Sequence, residues 1–129
     1  MKPKVLVVDD DTEFAELLRF NLDAAGCESM VAHNGVHGLR LARARLPDVI
    51  LLDVMLPDLD GLSVCEILNK QPSTWHIPVI IVSALNESWP QTRKSSARFH
   101  QFFTKPVDLK VLRASVKAAI EAGAKELAT

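Results

Sequence analysis

Val49-Ile50-Leu51-Leu52 is an unbroken aliphatic run that stops on a carboxylate, Asp53. A strand with one wet face alternates apolar and polar residues. A run that is apolar at every position suits a strand covered on both faces, as in a parallel sheet packed between helices. Val5-Leu6-Val7-Val8 has the same character and leads into Asp9-Asp10-Asp11, and the run from Ile77 to Val82 ends on Ser83. In open α/β sheets ligands bind beyond the carboxyl ends of the strands, so acids at these points face a prospective site rather than the core.

Between these runs the period changes to that of helices. Lys4–Val8 reads as the first strand, with Asp11 or Thr12 as N-cap of a helix carrying Phe14, Leu17, Leu18, Leu22 and Ala25 and ended by Gly26. Glu28–His33 reads as a short second strand and Asn34-Gly35 as a turn. Val36, Leu39, Ala42 and Leu46 mark a second helix closed by Pro47. After the Val49–Asp53 strand, Pro57, Asp58, Asp60 and Gly61 form a loop, and Leu62, Cys65, Ile67 and Leu68 mark a helix that stops before Pro72. Ile77–Val82 is a fourth strand. Phe99–Thr104 is a fifth, terminating at Lys105-Pro106. Leu109, Leu112, Val116, Ala119 and Ile120 form a last amphipathic helix that frays at Gly123. Between Asn86 and Ala97 the spacing predicts an irregular or shortened helix, because Trp89-Pro90 and Ser95-Ser96 interrupt the pattern. The alternation predicts an α/β fold with a mostly parallel sheet, right-handed crossovers and helices on both faces. The expectation is a single domain over residues 1–129 with its core at about 3–122.

A net charge of -1 gives no sign of a nucleic-acid or membrane surface. Arg40, Arg43 and Arg45 read as a solvated helix face, and His33, His37, His76 and His100 have no spacing that suggests a metal or phosphorelay site. Cys27 and Cys65 lack metal-ligand spacing and read as small hydrophobes. With no leader and no membrane-length apolar run, a soluble cytoplasmic protein is expected.

The strand ends gather Asp9 and Asp10, Asp53, Ser83 and Lys105 at one sheet edge. Grouped carboxylates repel one another, and a hard divalent cation with oxygen ligands, Mg²⁺ above all, relieves that repulsion. A serine hydroxyl and a lysine ammonium opposite the acids suit a phosphoryl group seated on a carboxylate oxygen. Asp53 then reads as the nucleophile that becomes an aspartyl phosphate.

Val7-Val8-Asp9-Asp10-Asp11, Leu51-Leu52-Asp53-Val54-Met55-Leu56-Pro57 with Gly61, Ile81-Val82-Ser83-Ala84 and Thr104-Lys105-Pro106, in that order, closely resemble receiver domains of two-component response regulators. The resemblance covers essentially the whole chain. It implies a flavodoxin-like (βα)5 fold of strand order 2-1-3-4-5, with Asp53 accepting phosphate from a sensor histidine kinase or a phosphotransfer protein. It implies further that Asp10, Asp53 and the Met55 carbonyl bind Mg²⁺ directly, with Asp9 acting through water. Ser83 matches the switch hydroxyl, Ala84 the small residue beside it and Phe102 the switch aromatic, and Lys105-Pro106 matches a cis peptide. The implied output is a downstream protein or a fused domain, reached through the face of the fourth helix, fifth strand and last helix, and a homodimer through that same face is a further expectation. Ala97-Arg98-Phe99 departs from the small-residue turn usual before the fifth strand, which bears on the region preceding it.

Two other classes compete. An aspartyl-phosphate phosphohydrolase would need a second acid two residues after the nucleophile, where Met55 stands. A phosphorylation-independent interaction module would typically have lost the acceptor or the lysine, and both are present. Met55 and Leu85, two residues beyond Asp53 and Ser83, are apolar and can neither orient nor activate water, which predicts slow self-dephosphorylation.

Overall fold

The computed structural model describes residues 2–85 and 95–128. Its strands are β1 (Lys4–Val8), β2 (Glu28–Ala32), β3 (Val49–Leu52), β4 (Val79–Ser83) and β5 (Gln101–Thr104). All pair in parallel, in the order β2-β1-β3-β4-β5. Four helices lie among the described residues: α1 (Thr12–Ala24), α2 (Gly35–Arg45), α3 (Gly61–Lys70) and α4 (Leu109–Ala128). None is long and apolar enough to cross a membrane.

The unbroken apolar runs are explained by two cores, one on each face of the sheet. Leu6, Val8, Ile50, Leu52, Val79 and Ile81 point to one side, where α2 supplies Leu39 and Ala42 and α3 supplies Leu62, Cys65 and Leu68. Val5, Val7, Val49, Leu51, Ile80 and Val82 point to the other, against Ala15, Leu18 and Leu22 of α1 and Leu112, Val116 and Ala119 of α4. Successive strand residues alternate faces, so only a strand apolar at every position serves both. β3 is buried at all its positions and contributes about 1.5–3 kcal/mol per large side chain. The expected parallel sheet of order 2-1-3-4-5 with helices on both faces is observed, four of the five expected helices lying among the described residues.

Local chemistry sets the boundaries, and several differ from the sequence expectation. Asp11 is the N-cap of α1, its side chain accepting from the Phe14 amide at 3.1 Å. Asn34 is the cap of α2 rather than part of a free turn, and Gly35 is the first helical residue. β2 ends at Ala32, whose carbonyl accepts from the Asp9 amide, so His33 lies beyond the ladder. β4 begins at Val79 because Pro78 has no N–H, although its carbonyl still accepts from Ile50. β5 begins at Gln101, not Phe99, because the backbone of Arg98 is already engaged: the Asn69 side chain accepts from its N–H at 2.7 Å and donates to its carbonyl at 3.2 Å. α4 runs through Gly123 to Ala128 without fraying there. The irregular helix expected over Asn86–Ala97 falls, for residues 86–94, outside the described residues; Ser95 to Phe99 have no regular structure.

Candidate functional site

Backbone hydrogen bonds carry each strand one step past its end and so place the chemistry. The Asp9 amide donates to Ala32, the Asp53 amide to Val8 at 2.9 Å and the Lys105 amide to Ser83 at 2.7 Å. Parallel strands in this register finish at a common rim, which brings residues of β1, β3, β4 and β5 together.

At that rim the Lys105 ammonium donates to Oδ2 of Asp9 at 2.9 Å and reaches Oδ2 of Asp53 at 3.5 Å. The other oxygen of each acid is held by the chain that follows it. Asp9 Oδ1 accepts from the Asp11 amide at 2.9 Å, and Asp53 Oδ1 from the Met55 amide at 3.0 Å. Asp9 and Asp53 are only 2% and 5% exposed, whereas Asp10 is exposed. Ser83 is fully buried, and its hydroxyl accepts from the Leu85 amide at 3.3 Å. The Lys105-Pro106 peptide is cis. Phe102 pairs with Ile81 across the β4–β5 ladder and packs half-buried on the α2–α3 side, its ring centroid 6.1 Å from that of Phe99.

Burial raises the pKa of Asp9, and the Lys105 hydrogen bond only partly offsets that rise. Burial pulls Lys105 the other way, but the Asp9 hydrogen bond and the nearby charge of Asp53 outweigh it and leave its pKa above the ordinary value. The lysine therefore stays charged at neutral pH. One ammonium faces several carboxylates, so the rim keeps an excess of negative charge. Asp9, Asp10 and Asp53 each offer a carboxylate oxygen, and these atoms lie within 4.8 Å of one another. All are hard oxygen donors, a set that fits Mg²⁺.

Three contributors escape a sequence reading. Asp58, legible only as a turn former, accepts from the Gly35 amide at 2.7 Å and the Val36 amide at 2.9 Å, so the loop after β3 also caps α2. The Phe14 ring lies 4.4 Å from the Lys105 ammonium. Asn69 ties α3 to the segment before β5, where Cys65 also donates its S–H to the Arg98 carbonyl at 3.2 Å. Each pairing depends on tertiary placement, and no spacing in the chain announces it. Cys65 is buried, and its thiol is pushed up to about 12 by that burial, in keeping with a packing role.

The Asp58 latch has a pH signature. The N–H groups of Val36 and Gly35 hold its carboxyl below the usual carboxylate range. A group depressed in the folded state adds stability above its unfolded pKa of 3.8, and that stability is lost as pH falls through the folded value. Asp58→Asn is therefore expected to melt below the wild type at neutral pH, with the gap closing in strong acid. Melting curves from neutral pH to about pH 2 check this, and a gap independent of pH contradicts it.

Known proteins match this chain along most of its length. The family model for the response regulator receiver domain matches residues 5–117. The chain is 39% identical over 118 residues to the response regulator PleD of Caulobacter vibrioides, covering 92% of this chain and 26% of that protein. It is 35% identical over 118 residues to the DNA-binding dual master transcriptional regulator RpaA of Synechocystis, covering 92% of this chain and 49% of the relative. The chain thus spans half or less of these relatives. Among solved structures, the signal receiver domain of a signal transduction histidine kinase from Syntrophus aciditrophicus superposes with a TM-score of 0.85 at 31% identity, over 93% of this chain and 91% of that one. A parallel sheet of order 2-1-3-4-5 with acids and a lysine at its carboxyl rim, matched by the family model along nearly its full length, makes this chain a member of the response regulator receiver domain family.

Proposed function

We propose that the chain is a phosphoacceptor switch in which Asp53 takes a phosphoryl group from a phosphohistidine of a sensor histidine kinase or a phosphotransfer protein. The observation that carries this reading is the Lys105 ammonium, which spans Asp9 and Asp53 beside Asp10. An Asp53 oxygen bonds to phosphorus as the P–N bond breaks, and the electron pair leaves with the imidazole. Lys105, already charged and within reach, follows the negative charge onto the phosphoryl oxygens. The Met55 amide keeps the Asp53 carboxylate from rotating. Asp9, Asp10, Asp53 and the Met55 carbonyl would hold Mg²⁺, which when bound offsets charge on the transferring group.

Ser83, at the end of β4, is positioned to trade its Leu85 partner for a phosphoryl oxygen. Phe102 in the neighbouring strand would follow that movement, altering the face that includes β5 and α4. That face would reach a downstream protein, a fused output domain or a second copy. Met55 in place of an acid disfavours repeated hydrolysis of phosphate esters.

Incubation with Mg²⁺ and acetyl phosphate tests the reading. The expected product carries one phosphoryl group, stable in acid and labile in base, on Asp53, and Asp53→Asn takes none. Retained label in that variant would refute it.

Phosphate lifetime follows from two side chains. Met55 is exposed and Leu85 is half-buried against the α2–α3 core, and neither can activate water. Met55→Asn and Leu85→Gln are expected to shorten the phosphoprotein half-life several-fold, less than the roughly 10²-fold of a well-placed general base. Unchanged decay of the labelled variants argues against this account.

A further inference from the structure

The carboxylates occupy only part of the surroundings of the Lys105 ammonium. The face of the Phe14 ring lies 4.4 Å from Nζ. Phe14 belongs to the first turn of α1, where its amide donates to the capping Asp11 side chain, so its backbone is fixed by the segment that carries Asp9 and Asp10. The ring is half-buried against the α1–α4 core. An aliphatic side chain would fill that volume as well, but only a π face attracts an ammonium. The lysine side chain is 17% exposed, so water competes weakly and the attraction exceeds that of a surface pair. A ring also leaves the N–H bonds of the ammonium free for oxygen acceptors.

We infer that Phe14 is a positioning residue for Lys105, its ring holding the ammonium at the rim while the N–H bonds pass from Asp9 and Asp53 to the oxygens of a phosphoryl group on Asp53. A lysine with carboxylate partners alone would have to release them to turn toward phosphate. A nondirectional neighbour persists through the exchange. The inference rests on Asp53 as the acceptor, but the contact itself can be examined without any phosphorylation.

The test pairs spectroscopy with kinetics. In the wild type, the Cε protons of Lys105 are expected upfield of other lysines through the ring current, and Phe14→Leu should return them to the ordinary position. With acetyl phosphate and saturating Mg²⁺, Phe14→Leu is expected to label roughly threefold to tenfold more slowly, the size of a partly desolvated cation–π contact. Mg²⁺ affinity, read from amide shifts, should change less than about twofold, because the ring touches no metal ligand set. Since Phe14 also packs against the core, Phe14→pentafluorophenylalanine serves as the second variant: it keeps the shape and reverses the ring's charge distribution. It should slow labelling while keeping the wild-type melting temperature. Labelling of that variant at the wild-type rate overturns the inference, as do Lys105 Cε protons at ordinary positions in the wild type. A wild-type protein that takes no label overturns the proposed function instead, and the ring-current measurement still decides the Phe14 contact.

Discussion

Lys105→Ala is expected to fold, to bind Mg²⁺ at least as well as the wild type, and to lose phosphorylation by on the order of a hundredfold. The rate and the metal affinity should move in opposite directions for one reason. In the resting protein Lys105 neutralises Asp9 at 2.9 Å and sits 3.5 Å from Asp53, so it would compete with a bound metal for the charge of these carboxylates. Its removal lifts that competition. During transfer the same ammonium would stabilise charge on the phosphoryl oxygens, and a preorganised charged donor of this kind contributes on the order of 10²–10³ in rate. Asp9 is then left buried without its partner, and because burial already raises its pKa it would meet the loss partly by taking a proton. Lys105→Arg retains the charge but replaces a compact ammonium with a larger planar fork, and should recover only part of the rate. Initial labelling rates with acetyl phosphate, alongside metal titrations, check both signs. A Lys105→Ala protein that labels within about threefold of the wild type removes the lysine from the mechanism.

The second large effect concerns a residue with no side chain. A Cβ on Gly61 would sit 2.3 Å from the Val54 Cα and 2.4 Å from the Asp53 carbonyl oxygen. Both are backbone atoms and cannot rotate away, so the loop itself must shift. That loop is closed by the Gly61 amide donating to the Val54 carbonyl at 2.9 Å and by a bridge between Met55 and Asp60. Gly61→Ala is therefore expected to cost about 3 kcal/mol or more, at the upper end of overpacking substitutions. The melting temperature should fall by roughly 10 °C, and Asp53 labelling should drop with it, because the peptide that must move belongs to Asp53 itself. Gly123→Ala is the control. Nothing lies within 4 Å of its Cβ position inside α4, and the same change there is expected to stabilise by about 0.5–1 kcal/mol. Denaturant unfolding of the two variants decides the point, and equal stability would show that the loop tolerates the extra carbon.

These expectations divide according to what a linear sequence can carry. Val49 to Leu52 are apolar at every position because both sheet faces are covered, so the parallel sheet was legible. Asp9, Asp53, Ser83 and Lys105 could be gathered in advance because parallel strands end at a common rim. Strand starts were less legible. Pro78 delays β4 by removing a donor, and Asn69 delays β5 by bonding Arg98 through a side chain that belongs to α3. Gly35 looked like a turn former until Asn34 and Asp58 were found capping α2. Phe14 had only its place in a helical repeat to offer, since the ammonium it faces comes from the far end of the chain.

Lys105 follows Asp9 by 96 residues and Asp53 by 52. A ribosome that has emitted the acidic residues has yet to emit their counter-charge or the edge strand that carries it. Nascent chains, and fragments released by premature termination before β5, thus hold Asp53 without the lysine that faces it. The charge arrangement of the rim is therefore completed only once β5 has been made and paired beside β4.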